Sequence, residues 1–375
     1  VRLGILGGGQ LAQMLTQAAV SLGLDTAIYD TTPDSPASRL THTRAIGAWD
    51  DIAALRAFAD GCDVLTLENE FVFAQPLSEL AASDIQIYPP PAALATIQDK
   101  LLQKQTMQSA GLPVPQFTAV ESPDEVRQFA QTVGYPLVLK IRYGGYDGYG
   151  NATVKSSEDL DVAWAKLAKP GRKLMVEQWV TFERELAVMV VRGRDGQTAV
   201  YPVVETIQQN HICHIVRAPA DISAQQADLA SDIACSAVET VGGVGVFGVE
   251  VFAMADGSII YNEIAPRPHN SGHYTIEACV TSQYENHIRA VMGWPLGDTS
   301  LRAPAAVMVN LLGKRNGYTD SQAIRPALNI QGAHLHIYGK REVRVGRKMG
   351  HVTALASTLA EAESIARAAA DQAVF

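Results

Sequence analysis

The stretch GVEVFAMADGSIIYNEIAPRPHNSGH, residues 248 to 273, concentrates the residue types that do chemistry. Glu250 and Glu263 each lie in a short apolar run, and Asp256-Gly257 between the runs suits a tight turn. Such a hairpin would set the two carboxylates side by side on one face, with Asn262 adjacent. Paired carboxylates and an amide oxygen are hard donors suited to Mg2+, with Mn2+ as a substitute, and Mg2+ usually completes its shell with substrate phosphates. Two such charges held close are costly without a cation between them. The competing reading is a plain hairpin with two solvated glutamates. Arg267, His269 and His273 argue against it, because they follow on an irregular, proline-interrupted turn.

A second stretch, KIRYGGYDGYGNATV from Lys140 to Val154, packs four glycines, two tyrosines and one aspartate into residues 144 to 150. Glycine at this density lets the backbone bring its N–H groups close to a ligand. The stretch reads either as a hairpin turn or as a flap whose amides cover phosphate oxygens. Lys100 and Lys140 lie before it and at its base, where ammonium groups would meet phosphate. Glu177 to Val180, EQWV, offers one acceptor side chain and backbone groups to the edge of a purine, and Glu185 follows at a place suited to ribose hydroxyls. Lys340, Arg341, Arg344, Arg347 and Lys348 place five cations within nine residues of an acidic chain. They form either a solvated face or a phosphomonoester site.

The opening, LGILGGGQLAQML, has Ala12 where a G-x-G-x-x-G pattern has its last glycine. It reads as a strand-to-helix turn presenting a positive helix end to an anion, ahead of a nicotinamide site. CDVLTLENE ends a further strand in acids. Ligands of parallel sheets lie beyond the strand carboxyl ends, so Gln10, Glu68 and Glu70 would share one crevice, with a solvated strand end as the plain alternative. His211 and His214 are spaced H-x-x-H, but two ligands on a strand or loop make a poor metal site.

These residues need elements to hold them. Residues 2–30 read as a βαβ unit, which requires a parallel sheet. A proline-rich connector and one helix from about Pro91 to Gly111 follow, with a domain boundary near Ala95. An antiparallel pair should close over the glycine stretch, and further strands join at an Arg-Asp-Gly turn. Residues after about 303 read as β-rich, closed by an alanine-rich helix. The expected class is α/β (α+β) with units at 1–95, 96–300 and 301–375; a chain of 375 residues is too long for one simple core. A net charge of −9 argues against nucleic acid or an anionic membrane as the main partner. The four cysteines form no C-x-x-C, so neither a disulfide framework nor a thiolate zinc site is indicated and a reducing cytoplasm fits. No apolar run is long enough to cross a bilayer, and the first residues resemble no signal peptide. Val1 is no natural initiator, so one or a few residues are expected to precede it.

Five segments in register, GILGGGQLAQML, GGYDGYG, EQWVTFERE, GVEVF…NEIAPRPHNSGHYTIEAC and GRKMGH, resemble the 5-(carboxyamino)imidazole ribonucleotide synthases of purine biosynthesis, which are ATP-grasp ligases. The likeness runs from about residue 3 to residue 353. It implies an N-terminal βαβ domain, a central ATP-grasp region with a mobile lid, a small C-terminal β-rich domain and a homodimer. It also implies a reaction of ATP, bicarbonate and 5-aminoimidazole ribonucleotide. By the same likeness ATP would meet Lys100, Lys140, the lid residues Gly145, Tyr146, Asp147, Gly148, Tyr149, Gly150 and Asn151, then Glu177, Gln178, Trp179, Val180, Glu185, Gln208, Asn262 and Glu263. Glu250 and Glu263 would hold the metal. Arg267 and His269 would grip bicarbonate and carboxyphosphate, Asp147 would act as base, and Gln10, Glu68, His273, Lys340, Arg347 and Lys348 would serve the ribonucleotide. The chain departs from the family pattern at Tyr149, where arginine is usual, at Lys100, where arginine is also common, at Val345, where proline is usual, and at Gln208, where a nucleotide-contacting histidine is expected. A ligase for another amine, a nicotinamide oxidoreductase and a nucleotide sensor are the competing readings.

Overall fold

Strand β1 (Arg2–Leu6) is buried from Leu3 onward in the computed structural model, which describes residues 1–145, 149–209 and 212–375. A strand covered on both faces needs such an apolar run. Helices α1 (Gln10–Ser21), α2 (Ile52–Ala59) and α3 (Ala74–Ala81) alternate with β2 (Asp25–Asp30), β3 (Thr43–Ile46), β4 (Val64–Leu67) and β5 (Ile87–Tyr88). All five strands pair in parallel in the order β3-β2-β1-β4-β5. The order reverses between β1 and β4, so Gln10 and Glu68 both stand at the switch-point crevice.

Where the sequence suggests one helix there are two, α4 (Pro91–Gln98) and α5 (Lys100–Ser109). Asp99 breaks them: its backbone is extended, and its carboxylate accepts the N–H of Leu101 to cap α5. Arg142 and Tyr143 hold the same carboxylate from the start of the glycine stretch. This break fixes where Lys100 points.

Next, β6 (Phe117–Val120), β7 (Leu137–Ile141), β8 (Asn151–Val154) and β9 (Leu174–Gln178) form an antiparallel sheet in the order β6-β9-β7-β8. Leu137, Leu139 and Ile141 face α6 (Pro123–Val133) and α7 (Leu160–Leu167). By alternation and register, Lys140, Asn151 and Glu177 share the opposite face. The expected pair around the glycines is β7 and β8.

The largest sheet joins β10 (Arg184–Arg192), β11 (Thr198–Val200), β12 (Val204–Gln209), β13 (Ile212–Ala218), β14 (Gly245–Ala253), β15 (Ile259–Ala265) and β16 (Ala305–Leu312). Apart from a small pair, β17 (Gly317–Tyr318) and β19 (Glu342–Val343), it also takes in β18 (Ala333–Ile337) and β20 (Lys348–Ala356). The order is β15-β14-β10-β12-β13-β16-β20-β18, so the C-terminal strands extend the central sheet through β13 and β16. Helix α8 (Ala224–Thr240) covers one face of β10, β14 and β15. Beyond the short α9 (Thr275–Ala278), α10 (Gln283–Met292) packs Ala290 on the other face and Ile288 and Val291 against α1. Helix α11 (Leu359–Gln372) covers β16 and β20. No helix among the described residues is long and apolar enough to cross a membrane.

Candidate active site

Strands β14 and β15 pair so that Glu250 stands directly opposite Glu263. A bulge follows Glu250 and leaves Asn262 as the extra residue, with its amide Nδ2 donating to Glu250 Oε2 at 3.3 Å. Lys100, in the first turn of α5, places Nζ 2.5 Å from Glu263 Oε2. Burial alone would raise the Glu263 carboxyl, but Lys100 and Lys140 outweigh it and hold it well below the usual range. Burial pushes Glu250 the other way, well above its ordinary value, and the charges of Glu263 and Glu185 add to the rise. The strain of two close carboxylates therefore falls on Glu250, and a cation between them would relieve it. Among the described residues no three acidic, histidine or cysteine groups gather as a complete metal cage. Two carboxylates and an amide fit Mg2+, which takes much of its shell from phosphate and water.

The turn after β15 carries Arg267, whose Nε and Nη2 both donate to Glu70, the latter at 2.9 Å from Oε1. Glu70 comes from the loop after β4, so this pair ties the N-terminal sheet to the hairpin. Two residues on, His269 has Nδ1 2.7 Å from Ser271 Oγ and Nε2 3.7 Å from Glu250 Oε1. Burial, then Arg267 and Lys348, lower this imidazole to about 4, so it is neutral at pH 7. Gln283 clamps its main chain, accepting the N–H at 3.0 Å and donating to the carbonyl at 2.8 Å.

On the facing sheet, Lys140 Nζ meets Glu177 Oε2 at 2.7 Å. Gln178 ends β9, and Trp179 beyond it is exposed ahead of Val180. Glu185 Oε1 accepts from Gln208 Nε2 at 2.6 Å and Thr206 Oγ1 at 3.2 Å. Gln208, at the position of the expected histidine, is thus tied to the acid assigned to ribose. A Cβ on Gly145 would lie 3.5 Å from Lys100 Cε, so the lid stem passes beside that lysine. Tyr149 accepts from Arg172 Nη2 at 3.1 Å, and Asn151 opens β8 opposite Lys140. Tyr146, Asp147, Gly148 and His211 lie outside the described residues.

Two expectations change. The amino end of α1 is no open anion site, because Glu68 fills it: its carboxylate accepts the N–H of Ala12 at 3.4 Å and crowds Gly9, where a Cβ would stand 2.7 Å from Oε1. Gln10 starts the helix at this spot. His273 is 1 % exposed, with Nδ1 2.7 Å from Tyr284 Oη and its ring 4.8 Å from that of His351. It braces the turn from beneath and does not open on the cleft. In the basic cluster, Arg341 pairs with Asp34 and Arg344 with Glu342, while Arg347 donates to the Glu342 carbonyl and Lys340 to the Lys348 carbonyl. The charge of Lys348 reaches both Glu250 and His269. His214 lies among the charges of Arg367, Asp371 and Glu363 on α11, away from this cleft's acids.

Three residues that the motifs do not point to complete the site: Asp99, Lys104 and Gln283. A lysine four residues after Lys100 is a legible signal; Asp99, inside what reads as one continuous helix, and Gln283 have none.

The chain matches the ribonucleotide synthetase preATP-grasp domain over residues 1–98, the ATP-grasp domain over 105–284 and the phosphoribosylaminoimidazole carboxylase C-terminal domain over 306–365. It is 43 % identical to an N5-carboxyaminoimidazole ribonucleotide synthase of Synechococcus elongatus, across 94 % of this chain and 88 % of that protein. It is 41 % identical to the chloroplastic phosphoribosylaminoimidazole carboxylase of Vigna aconitifolia, across 97 % of this chain but only 66 % of that longer protein. Its fold matches the crystal structure of N5-carboxyaminoimidazole synthase from Aspergillus clavatus in complex with ADP and 5-aminoimidazole ribonucleotide, with a TM-score of 0.91 and 38 % identity over 99 % of this chain and 98 % of that one. The chain belongs to the N5-carboxyaminoimidazole ribonucleotide synthase family of ATP-grasp ligases.

Proposed function

We propose that this chain uses ATP and bicarbonate to carboxylate the amine of 5-aminoimidazole ribonucleotide, giving N5-carboxyaminoimidazole ribonucleotide, ADP and phosphate. The observation that carries the reading is the Glu250–Glu263 pair beside Lys100, with Arg267 and His269 on the adjoining turn. The relatives' names and the ADP and ribonucleotide bound to the Aspergillus protein support it.

In this reading Lys140, Glu177 to Val180, Glu185 and Gln208 hold the nucleoside part of ATP, and Lys100 turns from Glu263 toward the phosphates. Glu250, Glu263 and Asn262 hold Mg2+, which when bound neutralises phosphate charge. An oxygen of bicarbonate, placed by Arg267 and the neutral His269, attacks the γ-phosphorus and ADP departs, forming carboxyphosphate. Transfer of this kind asks the protein mainly for positioning and charge, which these groups supply. The amine then attacks the carboxyl carbon, phosphate leaves, and Asp147 accepts the amine proton. The glycine lid excludes water while the labile intermediate persists. Lys340, Arg347 and Lys348 take the ribose phosphate, with Glu68 and Gln10 at the switch point nearby.

The working division of the chain is 1–95, 96–300 and 301–375, supported by the spans of the three family matches. A homodimer in the cytoplasm, where scattered free cysteines stay reduced, completes the reading.

The test is ADP release measured with each substrate omitted in turn. Release should require both bicarbonate and 5-aminoimidazole ribonucleotide for full rate, and carboxylated product should match ADP one to one. Equal stimulation by another amine would replace the acceptor named here.

A further inference from the structure

Lys104 lies on α5 one turn after Lys100 and is 2 % exposed. A lysine so buried normally needs a close partner. This one has an ion pair but no hydrogen bond: among the described residues Nζ donates to nothing, and Glu177 Oε1, 3.7 Å away, accepts from nothing. The other oxygen of Glu177 is held by Lys140, and the Tyr261 ring lies 5.5 Å from the Lys104 ammonium. One buried carboxylate therefore faces two ammonium groups, one hydrogen-bonded and one not. A structural role alone would be served as well by a packed apolar side chain, since buried ion pairs add little stability over one.

We propose that Lys104 is a positioning residue for the nucleotide: by sharing Glu177 it leaves Lys140 uncompensated, and so available to an anionic or acceptor group of a nucleoside di- or triphosphate. With Lys140 and Glu177 alone the pair is neutral. With Lys104 the trio carries one net positive charge in a largely buried place, where charge acts strongly. The inference rests on the nucleotide reading given above.

Charged and titratable groups face Lys104 from each neighbouring element: Lys100 on its own helix, Lys140 on β7, Glu177 on β9, and Tyr261 and Glu263 on β15. Burial first, with Lys140 and Lys100 adding, brings the ammonium down to about 8 against the pull of Glu177 and Glu263. An anionic ligand nearby raises it again. Nucleotide binding therefore takes up a proton near pH 8, and affinity weakens as the pH climbs past that point.

The experiment compares Lys104→Met and Lys104→Arg with the wild type in the full chain. Readouts are ADP affinity by calorimetry from pH 7 to 9, the split of KM for ATP against kcat, and the melting temperature. The methionine variant should lose about tenfold in ADP affinity at pH 7, the usual worth of a contact with a charged group. Its KM for ATP should rise with it, kcat should change far less, and the fall in affinity above pH 8 should vanish. The arginine variant should recover most of the affinity. Wild-type ADP affinity in the methionine variant, a loss confined to kcat, or equal losses in both variants with lowered melting would overturn the inference. Lys104→Gln gives a second uncharged side chain should the methionine variant not fold. Wild-type protein that binds no ADP would overturn the nucleotide reading itself, and this inference with it.

Discussion

Glu263 is the residue on which the site's charges converge. Lys100 touches it and is held charged by it, while Glu250 opposes it and is pushed toward its neutral form by the same charge. Removing it leaves Lys100 without its partner and Glu250 without the facing carboxylate that the proposed Mg2+ site requires. Glu263→Ala should therefore lower ATP turnover by at least about 10²–10³-fold, the scale of losing a preorganised electrostatic contact. The hairpin itself should persist, since Val249, Val251, Tyr261 and Ile264 form its buried core. ADP release at saturating Mg2+ and the circular dichroism of the variant check both halves; near-normal turnover would remove Glu263 from the metal set. The pair was legible in the sequence because strand alternation and an Asp-Gly turn fix register over a short span. Glu68 was not legible in the same way. Its partner, the first turn of α1, is more than fifty residues away, and nothing local reveals that a strand-end acid will cap a distant helix.

At the scale of elements the parallel sheet, the paired strands around the glycines and the Glu250–Glu263 hairpin follow from periodicity and turn chemistry. The break at Asp99 was hidden because Pro91 to Ser109 reads as continuous helix; only Arg142 and Tyr143, brought in from β7's end, make a capping break better than another helical turn. Fusion of the C-terminal strands to the central sheet was hidden too, since pairing of β13 with β16 spans some ninety residues. The lid stem shows why one of its glycines is needed. Gly150 has φ +87°, and a Cβ there would stand 2.5 Å from the Ile141 side chain. Gly150→Ala should cost about 1–2 kcal/mol from the left-handed backbone alone. Because the clash falls where β7 and β8 meet the lid, KM for ATP should rise several-fold while the basal melting temperature drops by only a few degrees. Parallel ATP titrations and thermal melts test this; an unchanged KM would mean the stem does not govern the lid.

Across the whole molecule one neutral histidine joins parts that are distant in the chain. His287 on α10 is fully buried; its Nδ1 accepts the Val246 N–H of β14 at 3.0 Å, so the proton sits on Nε2, which donates to Thr66 Oγ1 of β4 at 2.7 Å. The N-terminal sheet, α10 and the central sheet thus meet on one imidazole in one tautomer. Burial lowers it from 6.5 to about 3. The unfolded chain takes up this proton as pH falls through 6.5, while the folded chain refuses it until near 3, so stability is full above 6.5 and declines below. The decline contributed by this group approaches about 1.4 kcal/mol per pH unit, or about 2 kcal/mol by pH 5. His269, His273 and His351, also lowered by burial, steepen it in the same direction. Urea midpoints measured between pH 7 and pH 5 should therefore fall steeply for the wild type. His287→Gln should start from lower stability at pH 7 but lose it on acidification with a slope shallower by one proton. Equal slopes would mean that His287 already carries its proton in the folded protein, and the three-way junction would then have to be held by Thr66 and Val246 in some other hydrogen-bonding arrangement.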